Sequence, residues 1–254
     1  MKDIQMNELI EQYKKCVDVI PEESIKSYRQ DFFVNYTYNS TAIEGNTLTL
    51  LEQKTVLEDN IAIGGKSLRE IFEVYNHKKA FDYLEKCLSE NQPLSENIVK
   101  ELHAILTENV MVGGVYRDYP VRISGASFTP VTGNQMFYDL KNFYADMEWK
   151  PKDNALEYAS WVHAEFVKIH PFGDGNGRTA RMLLNYQLMQ SGLLPVQIKK
   201  EQRLTYYEAL DQYATKNELE PFTKFVSEME KIELTNYVEM SKEIKKMKKK
   251  DVSR

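Results

Sequence analysis

The sequence predicts an all-α protein with one small β-hairpin. Three observations carry that reading. Glycine and proline are sparse among the 254 residues, at 11 and 8. Apolar residues recur at helical spacing along most of the chain. Strand-like alternation is confined to one segment, 111–133.

The first helix is expected over 4–20, where Met6, Leu9, Ile10, Tyr13, Val17 and Ile20 share a face, and Pro21 ends it. A second fits about 24–44 and stops at Gly45-Asn46, a glycine-type C-terminus. Thr49-Leu50-Leu51-Glu52 is a capping box that opens the next helix. Gly64-Gly65 punctuate the chain, and Ser67 caps a helix running to about residue 88. Pro93 and Ser95 start another, to about Val110. Val121, Ile123 and Val131, with Gly113-Gly114 and Gly125 around them, suggest an irregular β-hairpin. Helices resume at about 134–147, 154–169, 176–191, 202–215 and 218–247. The lysine-rich run from Lys242 to Lys250 reads as a solvated helix end, with cations at the negative end of the dipole.

Composition narrows the function. The chain is 42% hydrophobic and 28% charged, as an ordinary globular protein is. Its net charge of −5 argues against a nucleic-acid binder, whose footprint is basic. Cys16 and Cys87 are the only cysteines, and they fit reduced thiols of a cytoplasmic protein. Neither a Cys/His metal spacing, a signal peptide nor an apolar run long enough for a membrane span is visible.

One stretch reads as chemistry: His170-Pro171-Phe172-Gly173-Asp174-Gly175-Asn176-Gly177-Arg178-Thr179-Ala180-Arg181. It lies between two apolar helical patterns. Pro171 ends the first, and Gly175 and Gly177 let backbone N–H groups face outward at the start of the second. A helix N-terminus with free N–H groups favours phosphate. Arg178 and Arg181 share one face of its first turn, and the guanidinium fork suits phosphate oxygens. Asp174 is a hard oxygen ligand suited to Mg²⁺ on a polyphosphate. His170 at the rim can take a proton. The parts compose a site for phosphoryl or nucleotidyl transfer to a hydroxyl. The lysine of a P-loop is missing.

The run His-Pro-Phe-x-Asp-Gly-Asn-Gly-Arg-x-x-Arg resembles, without a gap, the signature of Fic domains, which mostly transfer AMP from ATP to protein hydroxyls. A second stretch, Ser40-x-x-x-Glu44-Gly45-Asn46, resembles the family's inhibitory helix motif; Ser40 and Glu44 share a helix face. The resemblance implies that Glu44 pairs with Arg181 and blocks the productive pose of the γ-phosphate, as in members with an N-terminal inhibitory helix. It implies a Fic core over 93–232, a helical extension over 1–92 carrying Glu44, and a helix end with a basic tail over 233–254. It implies ATP·Mg²⁺ on Gly175, Asn176, Gly177, Arg178 and Arg181, the metal on Asp174, His170 as base, and aromatic residues near the nucleotide base, for which Tyr206 and Tyr207 are candidates. The segment 119–131 resembles the family's flap, whose edge can hold a target by strand addition. The target is a protein bearing a Ser, Thr or Tyr hydroxyl, itself included, and family members often dimerise.

Two other functions fit the same residues. One is removal of AMP from a modified protein, with Glu44 positioning water. The other is a nucleotide-dependent binding module without transfer. His163 reads as a packing residue, His77 and His103 as surface or packing groups, and Asn185, one turn past Arg181, as a candidate lining residue.

Overall fold

Helix α1 (Lys2–Val17) ends short of Pro21, and α2 (Glu22–Ile43) begins directly after it. The computed structural model describes residues 2–17 and 19–252. Two capping boxes start the next helices: Thr49 and Glu52 exchange hydrogen bonds at the head of α3 (Leu50–Asp59), and Ser67 and Glu70 do so at α4 (Leu68–Ser89). Ser95 Oγ accepts from Ile98 N–H to open α5 (Glu96–Leu106), which is shorter than its apolar pattern suggested because Thr107 already has non-helical geometry. The remaining helices are α6 (Gly133–Trp149), α7 (Ala155–Ile169), α8 (Asn176–Gln190), α9 (Arg203–Lys216) and α10 (Glu220–Val252).

No strand forms among the described residues, so the all-α class holds and the expected hairpin at 111–133 is instead an irregular loop. The reason is local. Pro120 and Pro130 bring no N–H to a ladder. The carbonyls of Tyr119 and Val131, one on each arm, both accept from the guanidinium of Arg117 rather than facing donors on the opposite arm.

α7 and α8 pack along each other at the centre. Trp161, Val162 and Phe166 of α7 meet Met182, Leu183 and Tyr186 of α8 in the main buried cluster. That cluster also contains Phe32, Tyr36 and Ile43 of α2 and Phe81 and Leu84 of α4. α2 and α4 therefore share one core with the helices that follow, while Val56 and Leu57 of α3 pack in a separate small cluster with Val34, Leu48 and Val74. Leu234 and Tyr237 of α10 close a smaller cluster against α1 and Leu194. No helix among the described residues is long and apolar enough to cross a membrane.

Candidate active site

The loop 170–175 joins α7 to α8 and is braced from both sides. His170 ends α7 in the left-handed region, φ 52°, which is uncommon for a residue with a Cβ. Its side chain lines a cavity of about 510 Å³ together with Glu44, Gly177, Arg181, Tyr207 and flap residues. The carbonyl of Val167 can only accept, so the 3.2 Å contact to His170 Nδ1 places the proton there and leaves Nε2 as an acceptor. Burial lowers the imidazole pKa to about 4, and the neutral ring is the form a base needs.

Gly175 heads α8 at φ 76°, and a Cβ there would press on His103 Nε2 and Thr107 Cγ2. The N–H groups of Asn176, Gly177 and Arg178 have no intrahelical acceptor by position. The side chain of Asn176 faces inward. Its Oδ1 accepts from Phe172 N–H at 2.9 Å and its Nδ2 donates to Phe172 O at 2.8 Å. The expected phosphate contact from Asn176 thus narrows to its backbone, because both side-chain groups are spent on the loop.

Arg178 and Arg181 are both about 2% exposed. Arg181 Nε donates to Ser40 Oγ at 2.9 Å, and Nη2 donates to Ser40 O at 2.9 Å and to Glu44 Oε1 at 2.7 Å. Burial alone disfavours the guanidinium charge; Glu44 outweighs it and raises the pKa. Arg181 Nη1 and Arg178 Nε and Nη1 are buried donors with no hydrogen-bonded acceptor. Arg178 Nη1 does face Glu73 Oε1, but at 3.5 Å it makes an ion pair without a hydrogen bond. Unsatisfied buried donors on two arginines suit an anion with several oxygens. Glu44 Oε1 lies so close over Gly177 that a Cβ on that residue would collide with it. A carboxylate thus stands at the helix N-terminus where a phosphate is favoured.

Asp174 Oδ1 accepts from Gly175 N–H at 2.6 Å and faces Arg178 Nη2 at 3.7 Å, while Oδ2 accepts from Arg69 Nη2 at 2.5 Å. Burial pushes the carboxyl pKa up, but Arg178, the Gly175 N–H and Arg69 more than offset it and leave it below the ordinary value. No group of three or more His, Cys, Asp and Glu gathers for a metal among the described residues. One ionised carboxylate beside a phosphate cradle nevertheless fits Mg²⁺, which takes few protein ligands and its remaining oxygens from phosphate and water.

The remaining candidate residues differ in their places. Tyr206 and Tyr207 both line the cavity; Tyr206 is about 1% exposed, with its hydroxyl on His163 Nε2 at 2.9 Å. Asn185 exchanges two hydrogen bonds with the backbone of Val196 and does not face the site. His103 is the packing group of the two alternatives, and it is buried. Gly114 N–H donates to its Nδ1 at 2.9 Å, so its Nε2–H donates to Asp174 O at 2.9 Å, and its ring stacks on Phe172 at 3.6 Å. Arg117 was not anticipated at all. It donates to His170 O at 2.8 Å and to both arms of the flap, tying them to the end of α7. Neither residue carries a local motif that would reveal it.

Comparison with known proteins agrees with this geometry. Residues 93–188 match the Fic/DOC family model. The chain is 34% identical to the protein adenylyltransferase fic-1 of Caenorhabditis elegans over 217 residues, covering 83% of this chain and 42% of that protein. It is 32% identical to the protein adenylyltransferase Fic of Drosophila willistoni over 212 residues, with 81% and 41% covered. The solved structure of Fic-1, residues 134–508, from C. elegans superposes with a TM-score of 0.81 at 30% identity, covering 94% of this chain and 72% of that one. The chain belongs to the Fic/DOC family. A Fic-domain-containing signalling protein from Bacteroides thetaiotaomicron is similar at TM-score 0.84 and 25% identity, with 93% and 96% covered. The structural similarity to these Fic-containing chains thus extends over almost the whole chain, beyond the 93–188 matched by the family model. The chain spans less than half the length of the curated Fic relatives it matches.

Proposed function

We propose that the chain is a protein adenylyltransferase that moves AMP from ATP to a Ser, Thr or Tyr hydroxyl of a target protein. The observation that carries this is the set of unpaired donors on buried Arg178 and Arg181 in the first turns of α8, where Arg181 lines one cavity with a neutral His170. ATP lies with its phosphates over the N-terminus of α8, on the N–H groups of 176–178 and the two guanidinium forks. Tyr207 stacks near the base, on the flap side of the cavity. Asp174 would hold Mg²⁺, which supplies charge neutralisation on the polyphosphate. His170 Nε2 takes the hydroxyl proton, the hydroxyl oxygen bonds to the α-phosphorus, and the bond to the bridging oxygen breaks. Pyrophosphate leaves with its electron pair and AMP stays on the target. Glu44 holds this site inactive by occupying Arg181 and adding negative charge where the γ-phosphate belongs.

The test is transfer of label from α-labelled ATP by wild type, Glu44→Gly and His170→Ala. Label on protein with Glu44→Gly and none with Glu44→Gly/His170→Ala supports the reading; ATP binding without label in any variant favours the binding module. The reverse reaction has one observation in its favour. Glu44 lines the same cavity as His170, and its side chain is 32% exposed, so it can hold a water there. Release of AMP from a modified protein by wild type and not by Glu44→Ala would support that direction. The reading extends to a cytoplasmic setting, in which Cys16 and Cys87 stay free and buried, and to a homodimer.

A further inference from the structure

Four charged side chains close a ring around the edge of the proposed nucleotide site. Arg69 Nη2 donates to Asp174 Oδ2 at 2.5 Å, and Arg69 Nε donates to Glu73 Oε1 at 3.1 Å. Glu73 Oε1 faces Arg178 Nη1 at 3.5 Å, and Arg178 Nη2 faces Asp174 Oδ1 at 3.7 Å. Two members come from the signature, and two come from α4, about a hundred residues earlier in the chain.

We propose that Arg69 belongs to the metal site: its guanidinium stands in for a divalent cation on Asp174, and the metal must displace it to bind. The two oxygens of Asp174 have different partners. Oδ1 is committed to Gly175 N–H and turned towards Arg178, so Oδ2 is the oxygen left for a metal, and Arg69 occupies it. A cation there serves a purpose before substrate arrives. It balances a partly buried carboxylate that otherwise depends on Arg178, the residue needed for phosphate. The exchange is easy. The Arg69 side chain is 57% exposed, so its charge is never desolvated on release. It also keeps a second carboxylate, because Glu73 is held in place by Asn46 Nδ2 at 3.2 Å. Released from Asp174, Arg69 stays tethered at the rim and does not swing free.

The inference rests on the nucleotide-site reading, and the experiment separates the two. A non-hydrolysable ATP analogue is titrated by calorimetry into the Glu44→Gly protein, first in EDTA and then over a range of Mg²⁺. The Mg²⁺ concentration giving half of the metal-dependent tightening is the readout. Adding Arg69→Ala lowers that concentration by about threefold to fivefold, the scale of an exposed ion pair removed. Adding Arg69→Lys leaves it near the parent value, since the ammonium still competes. Affinity in EDTA does not tighten with Arg69→Ala, which distinguishes a metal effect from general loosening of the site. A midpoint unchanged or raised by Arg69→Ala overturns the inference while the nucleotide site stands. Failure of the analogue to bind the Glu44→Gly parent overturns both.

Discussion

Replacing Glu44 by glycine tests the central claim most directly. In the resting structure Arg181 has three acceptors, two of them on Ser40. The variant therefore leaves Arg181 hydrogen-bonded to Ser40 while removing its carboxylate partner, which a bound phosphate would replace. The gain comes from removing a negative charge beside the γ-phosphate position. At about 4 Å and an effective dielectric of about 20, two unit charges repel by about 4 kcal/mol. The Glu44 side chain is 32% exposed, and screening halves that to about 2 kcal/mol. At about 1.4 kcal/mol per factor of ten, transfer rises by about 30-fold to about 700-fold. The assay is the initial rate of label incorporation from α-labelled ATP at fixed target protein, with a thermal melt to show that the variant is folded. A folded variant that binds ATP and labels protein no faster than wild type would refute the reasoning. Arg181→Ala in the same assay gives no gain, because it removes the phosphate donor together with the latch.

Other substitutions test the bracing of the loop and flap. Arg117→Lys keeps the charge but loses the fork that joins His170 O, Tyr119 O and Val131 O. It lowers stability by about 2–3 kcal/mol in urea denaturation and makes 119–131 more sensitive to limited proteolysis. His103→Phe keeps the stack on Phe172 but leaves Asp174 O and Gly114 N–H without their partners. A loss of about 1–3 kcal/mol per unsatisfied group follows, read from the same denaturation curves. Acidification destabilises the fold. Burial lowers His170 and His103 to about 4 and His163 to about 3, and holds His77 well below its ordinary value. Their folded pKa values lie below the unfolded one, so the stability they support is present above about pH 6.5 and is lost as pH falls towards 4. Glu230 runs the other way: burial raises it to about 8, and its contribution is lost as pH rises through that value. Melting temperature therefore peaks near neutral pH and falls at pH 5, and a profile flat from pH 7 to 5 would contradict the burial of these histidines.

The site was legible in the sequence where its parts are contiguous or one helical turn apart. His170, Asp174, Arg178 and Arg181 sit in a single run, so spacing carried their chemistry; Ser40 and Glu44 share a helix face, but their role came from the family resemblance. Helices were legible for the same reason, down to the capping box at Thr49 and Glu52. What escaped depends on partners distant in sequence. His103 meets Asp174 across 71 positions and Arg69 meets it across 105, and neither lies in a pattern that signals such contact. Tyr206 does line the cavity, but the contact of its hydroxyl with His163, 43 positions earlier, has no local signal. The flap looked like a hairpin because its β-branched residues alternate, but one arginine took the carbonyls of both arms. Alternation reports which side chains are apolar and is silent on where backbone groups find partners.

The placement of Glu44 also constrains how the proposed inhibition can be relieved. The last turns of α2 are anchored in the core: Tyr36 and Ile43 belong to the main buried cluster, and Thr37 and Thr41 are buried as well. Thr41 Oγ1 accepts from Gln53 Nε2 at 3.0 Å and so ties α2 to α3. Withdrawing the helix would expose Tyr36 and Ile43, at about 1.5–3 kcal/mol for an aliphatic or aromatic side chain of that size, and would break the Ser40 contacts to Arg181. Turning Glu44 alone loses one charge-assisted hydrogen bond, about 1.5–3 kcal/mol, and part of that returns as hydration because the carboxylate already meets solvent. The cheaper movement is therefore rotation of one side chain at the end of a fixed helix. Because α2 shares its core with α7 and α8, the extension cannot swing away as a separate body. A ligand or partner that activates the site need only hold the Glu44 carboxylate away from Gly177 and Arg181, and α2 can remain seated throughout the cycle.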